Sequence, residues 1–127
     1  MIIFSAPSRY VQGPGVLDRL GTELARIGRR SLVVLDAGVR LTVQGRIEAS
    51  LAAAGVTLGF AHYSGEVTAA NIAGLAAQAA GASPDVVVGV GGGKALDAAK
   101  AVSIHFGARY ASVPTIASTD APATADT

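Results

Sequence analysis

Cysteine is absent from the 127 residues, which removes disulfides and thiolate chemistry and fits a reducing compartment. Charge is scarce too: Asp, Glu, Lys and Arg make up 15% of the chain and the formal net charge is +1. So even a balance gives no electrostatic reason to expect nucleic acid or an anionic membrane as a partner. No apolar run approaches the roughly 18 residues of a membrane helix. The apolar part of the opening "MIIFSAPSRY" is too short for a secretion signal. The two histidines, His62 and His105, are far apart and lack metal-ligand spacing. His105 reads as a partner for a helix C-terminus and His62 as a structural residue within a strand. The expectation is a soluble, cytoplasmic domain. Half of the chain is hydrophobic, much of that alanine, and its length suffices for one domain with a core.

Apolar runs alternate with helical patterns along this chain. "MIIFSAP" and "RYVQG" read as short strands near a sheet edge. Residues 13–28 read as a helix, with Val16, Leu20, Leu24 and Ile27 on one face. "SLVVLD" (31–36) reads as a strand buried on both faces and ending in a carboxylate. Residues 43–55 read as a helix closed by Gly55, and 56–63 as a strand. Residues 68–83 form an alanine-rich helix pattern, 84–93 the clearest strand, 94–107 a fourth helix and 109–115 a last strand. This alternation specifies an α/β fold with a mostly parallel sheet and helices on both faces. Ligands of such sheets bind beyond the carboxyl ends of the strands. That rule selects Asp36, Gly91-Gly92-Gly93 and "PTIASTD", the three chemically unusual stretches.

Three glycines between a strand and a helix permit positive φ and let the backbone approach a ligand. The helix start then offers unpaired N–H groups and about half a positive charge. Lys94 stands at the wrong end of that dipole for stability and in the right place for an anion. The plain alternative is a tight turn with close helix–strand packing. The stretch is not a P-loop, because Val88 and Ala95 break that pattern, and a G-x-G-x-x-G begun at Gly89 and Gly91 meets Lys94 where its third glycine belongs. Asp97 and Lys100 follow on the same helix, and Asp97 reads equally well as a holder of Lys94, a ligand contact or a surface charge. Asp36 reads as a ribose-binding acid, which favours NAD over NADP, or as a turn aspartate. It precedes the glycines, whereas the ordinary dinucleotide unit has the acid about 20 residues after them. Thr115, Ser118, Thr119 and Thr124 gather hydroxyls on one loop around Asp120, which reads as a polyol contact or a helix cap.

"GVGGGKALDAAK" together with "SVPTIASTDAP" resembles the glycerol dehydrogenases of the iron-containing (group III) polyol dehydrogenase superfamily. "RYVQGPGVLDRLG", "LVVLDAGV" and "YSGE" are similar to the same family, in its order. The resemblance implies that residues 1–127 form a Rossmann-like, NAD-binding N-terminal domain. Gly91, Gly92, Gly93 and Lys94 would hold the pyrophosphate. Asp97, Thr115 and Ser118 would line the cofactor cleft, with Thr124 where the family usually has serine. Asp36 would bind the adenosine ribose and Asp120 would touch the substrate, glycerol or a similar small polyol. The family's catalytic zinc is bound by an Asp and two His of a C-terminal helical domain, which this chain is expected to lack. No residue here is therefore assigned a catalytic or metal-binding role. The implied reaction is NAD-dependent oxidation of glycerol to dihydroxyacetone by a homo-oligomer, with this chain its cofactor half and inactive alone. The alternatives are a nucleotide-binding module or non-functional fragment without catalysis, and an enzyme like glycerol-1-phosphate dehydrogenase or dehydroquinate synthase.

Overall fold

Valine-rich segments without charges can be satisfied only where both faces are covered, and the chain places them in the middle of a sheet. The computed structural model describes residues 2–4, 10–11, 15–63, 65–79, 81 and 83–114. Strands β1 (Ile2–Phe4), β2 (Tyr10–Val11), β3 (Arg30–Asp36), β4 (Thr57–Tyr63), β5 (Val86–Gly91) and β6 (Arg109–Pro114) form one sheet in the order β2-β1-β6-β5-β3-β4. β4, β3, β5 and β6 are mutually parallel. β1 runs antiparallel to both β6 and β2, so the two short strands finish one edge as expected.

Side chains alternate across the sheet with period two. Val33 and Leu35 of β3 and Val86, Val88 and Val90 of β5 face one core, with Leu20, Leu24, Val43, Ile47 and Leu51 of helices α1 (Leu20–Leu24) and α2 (Arg40–Ala53). Leu32, Val34 and Val87 face the other, against α3 (Ala69–Ala79) and α4 (Gly93–Phe106) through Leu75, Ala98, Ala99 and Val102. Crossovers of one hand require the helix to change face where the chain reverses its direction across the sheet. That happens at β4, the outermost strand: α2 leads outward to it on one face, and α3 returns from it on the other to β5.

Two helices end as glycine dictates. Gly55 (φ +73) follows α2, with Val56 N–H donating to Leu51 O at 3.0 Å and Gly55 N–H to Ala52 O at 3.2 Å. Gly107 (φ +64) follows α4, with Ala108 N–H donating to Ser103 O at 2.9 Å. Both are the six-to-one closure of a left-handed cap, so the sequence reading of Gly55 holds. Residues 13–28 do not form the single helix expected. A 3-10 turn over Val16–Arg19 leads into α1, after which the chain tightens again at Arg26 N–H to Glu23 O and Ile27 N–H to Leu24 O. The cause lies outside the segment. Asp85 accepts the N–H groups of Arg29 and Arg30 at 2.9–3.1 Å and turns the chain into β3 before α1 can lengthen. No helix among the described residues is long and apolar enough to cross a membrane.

Helix α1 packs on α2 through a missing side chain. A Cβ on Gly21 would lie 2.1 Å from Ser50 O and 2.9 Å from Leu51 Cα, both backbone atoms. Gly21 N–H donates to Ser50 Oγ at 2.8 Å, and Ser50 Oγ donates to Asp18 O at 3.0 Å. Gly45, by contrast, lies in α2 with no atom within 4 Å of its would-be Cβ. The same substitution therefore has opposite signs in neighbouring helices. Gly21→Ala is expected to lower stability by roughly 1–3 kcal/mol through overpacking. Gly45→Ala is expected to raise it by about 0.5–1 kcal/mol through helix propensity. Urea denaturation midpoints of the two variants check both signs.

Candidate functional site at the strand ends

β3 and β5 lie side by side, but their chains leave in opposite directions, β3 toward β4 and β5 toward β6. This makes the crevice beyond their carboxyl ends the topological switch point of the sheet, where open α/β folds bind ligands. Asp36 ends β3 and Gly91 ends β5, one residue beyond the register pair Leu35 and Val90. A Cβ on Gly91 would lie 2.5 Å from Asp36 Cβ and 3.3 Å from Ala95 Cβ, and its φ is +140. The acid and the glycine turn, in the wrong order along the chain, are thus neighbours across one strand pair. Asp36 also serves its own turn: Oδ1 accepts Gly38 N–H at 2.8 Å and caps the 3-10 turn Ala37–Val39. The ribose reading and the turn reading are compatible on one side chain.

The glycines divide by what demands them. A Cβ on Gly89 would lie 2.8 Å from Ala99 Cβ, so that glycine lets α4 press on β5. Gly91 is required by its positive φ and by Asp36. Gly92 and Gly93 are required by neither, since nothing lies within 4 Å of a Cβ at either. Of the three turn glycines, Gly91 alone uses the positive φ that glycine permits, and Gly92 is extended at φ −84, ψ −174. Gly92 caps α4 without a side-chain bond, and the first turn of α4 carries no acidic residue. The amides that open the helix, up to Ala95, have no acceptor within it; the first intrahelical bond is Leu96 N–H to Gly92 O at 3.1 Å.

Lys94 has a different partner from the one its sequence neighbours suggested. Its ammonium donates to Glu66 Oε2 at 2.7 Å, and this hydrogen bond and the charge of Glu66 hold the Lys94 pKa above the usual lysine value. Asp97 does not hold it. Asp97 lies close enough to Tyr110 on β6 to help raise the phenol's pKa, after the larger effect of burial and against a lowering hydrogen bond from Ser112. Lys94 is thus drawn toward the loop after β4, and Asp97 lies on the β6 side of α4. β6 ends at Pro114, in register with Gly91. Thr115, Ser118, Asp120 and Thr124 follow and lie outside the described residues.

His62 lies near the carboxyl end of β4, in register with Leu35, where its Nε2 bonds Gln44 Oε1 at 2.8 Å and its ring stacks on Phe60. His105, in the last turn of α4, meets Phe106 edge-on. Among the described residues, no group of three or more His, Cys, Asp or Glu could hold a metal ion. A cleft of about 500 Å³ opens at the amino ends of the strands, lined by Ile27, Arg30, Asp85, Phe106 and Arg109 among others. There Asp85 is bonded to backbone N–H groups, and Arg30 Nε donates to Ser83 O at 2.9 Å, so that end is a structural clamp. Sequence reasoning had no role for Asp85 or Glu66. A carboxylate directly before a buried strand, after proline, was the available signal for Asp85. None marked Glu66 as the partner of a lysine so far along the chain.

Comparison with known proteins agrees with this geometry. The sequence pattern of the family described as iron-containing alcohol dehydrogenase matches residues 7–126. The chain is 41% identical over 120 residues to a glycolaldehyde reductase of Halobacterium salinarum, covering 94% of this chain and 33% of that protein. It is 41% identical over 123 residues to a glycerol dehydrogenase of Escherichia coli, covering 97% of this chain and 34% of that one. The crystal structure of a probable glycerol dehydrogenase from Sinorhizobium meliloti superposes with a TM-score of 0.75 at 39% identity, covering 89% of this chain and 30% of its own. The chain spans about a third of the length of the curated relatives it matches. With the family pattern running through nearly all of it and the same fold in a solved relative, the chain belongs to the iron-containing alcohol dehydrogenase family.

Proposed function

We propose that the chain is the NAD-binding domain of a polyol dehydrogenase acting on glycerol or a similar small polyol. The observation that carries this reading is the pair Gly92 and Gly93. They lack side chains where the fold has room for them, directly between the end of β5 and the open amides of α4. Residues with a packing duty explain Gly89 and Gly91; a ligand that must touch the backbone explains the other two.

The residues at the switch point fit the dinucleotide. The amides of Gly92, Gly93 and Lys94 would take the pyrophosphate, with the Lys94 ammonium supplying a charge-assisted bond. Asp36 would accept hydrogen bonds from the adenosine ribose through the oxygen not engaged by Gly38, and its charge would repel a 2′-phosphate. NAD, when bound, supplies the hydride acceptor for alcohol oxidation. Asp97, Thr115, Ser118 and Thr124 are assigned to the rest of the cofactor cleft and Asp120 to the polyol, by resemblance. The described residues do not fit the family's zinc, so no step is assigned to a metal here.

Folding and binding should separate cleanly at adjacent glycines. Gly92→Val is expected to melt within a few degrees of the parent, because its Cβ enters open space at an ordinary φ, and to lose NADH binding. Gly91→Ala is expected to lose stability as well, by roughly 1–3 kcal/mol. Lys94→Ala should weaken NADH binding about ten-fold with the fold intact. Calorimetric titration with NADH alongside thermal melts reads all three; NADH binding unaffected by Gly92→Val and Lys94→Ala would remove the cradle.

Asp36→Asn keeps an acceptor for Gly38 and removes the charge. It should raise NADP affinity relative to NAD by about ten-fold, measured by competitive titration. Glycerol, NAD and zinc added to the 127-residue chain should give no NADH, followed by absorbance. Turnover there would overturn its assignment as a cofactor half.

A further inference from the structure

Glu66 lies on the loop between β4 and α3, yet its carboxylate reaches the ammonium at the start of α4 at 2.7 Å. The loop is built to hold it there. Gly65 turns the chain at φ +94. The Glu66 carbonyl accepts from the hydroxyl of Tyr63, whose side chain is buried, and from Asn71 Nδ2 at 2.8 Å. Asn71 N–H is itself held by Thr68 Oγ1 at 3.1 Å. The backbone under Glu66 is thus anchored from both flanking elements, while the pair it makes is open to solvent, with Lys94 61% and Glu66 74% exposed. An exposed ion pair contributes little to stability, too little to account for such anchoring. What the pair does accomplish is local neutrality. The first turn of α4 has no acid of its own, and Glu66 supplies the negative charge beside the dipole and Lys94.

We propose that Glu66 is a specificity-determining residue of this cofactor site: the resident counter-ion of Lys94, with which an incoming phosphate must share that cation. Its charge selects the singly charged phosphates of a pyrophosphate diester over a doubly charged terminal phosphate. The inference rests on the reading of the glycine turn as a pyrophosphate cradle. Each phosphorus in the NAD bridge carries one negative charge, and the terminal phosphate of ADP carries up to two. A fixed carboxylate that shares their cation repels both, and repels the dianion about twice as strongly. The cradle therefore gives up some affinity for every phosphate and gains discrimination by charge.

The test is calorimetric titration of NAD and ADP into the 127-residue chain and its Glu66→Gln variant at one ionic strength. Glutamine keeps the side-chain length and leaves the backbone anchors of the loop in place, and a circular-dichroism melt confirms the fold. NAD is expected to tighten about three-fold and ADP about ten-fold, moving the preference between them about three-fold toward ADP. Unchanged affinities, equal gains or weakened binding of both ligands overturn the proposal. Lys94→Ala, titrated in parallel, tells the two readings apart. Weaker binding in that variant with Glu66→Gln unchanged removes the counter-ion and leaves the cradle. No binding by the parent removes both.

Discussion

Everything at the carboxyl end of the sheet depends on how closely β5 passes β3 at its last residue. Gly91 stands where a methyl group would overlap Asp36 Cβ at 2.5 Å, in a conformation at φ +140 that side chains rarely adopt. With that methyl absent, β5 can turn directly into α4 beside the acid that ends β3. The acid, the turn and the start of the helix then occupy one crevice. A second glycine of β5 seats the helix: at Gly89, Ala99 of α4 takes the space of the missing Cβ. Gly91 sets the position of the acid beside the turn, and Gly89 sets the seating of α4 on the strand.

The two ends of the sheet are finished by opposite means. At the amino end, Asp85 takes the N–H groups of Arg29 and Arg30, and its backbone joins β3 and β6 through Arg30 O and Arg109 N–H. A carboxylate used this way has little left for a ligand. At the carboxyl end, the turn after β5 leaves helix amides without an acceptor in the helix and glycines without a packing duty. The cleft of about 500 Å³ belongs to the saturated end. Its volume says less about chemistry than the unfilled valences at the other end do.

The layered fold was legible because its signals are local and repeated. The continuous apolar runs of β3 and β5 announce strands buried on both sides, and Gly55 and Gly107 mark helix ends by the positive φ that glycine adopts without strain. The first helix was over-read because its length is decided elsewhere, by Asp85 reaching back to Arg29 and Arg30. The site was legible as residue types but not as contacts. Asp36 and Gly91 stood out singly, and their adjacency came only from the strand order, in which β3 lies beside β5 and sends its own chain the other way. Lys94 was recognised as a misplaced cation while its partner was sought one turn away, at Asp97. Helix spacing offers only local partners, and Glu66 arrives from the loop after β4.

That last mismatch bears on how an anion site can persist in a protein before its ligand arrives. A lysine at a helix N-terminus faces like charge from the dipole, and clustering glycine amides beside it adds to the same sign. Leaving that charge bare would favour any anion in solution. Neutralising it with an acid in the first turn of α4 would put the counter-charge on the floor of the cradle, where the ligand must lie. A carboxylate carried by a neighbouring loop meets both demands, since it reaches the ammonium without occupying the turn. The anchoring of the Glu66 backbone by Tyr63 and Asn71 then has a physical purpose: the counter-charge stays within reach of Lys94 and outside the space that Gly92 and Gly93 keep open.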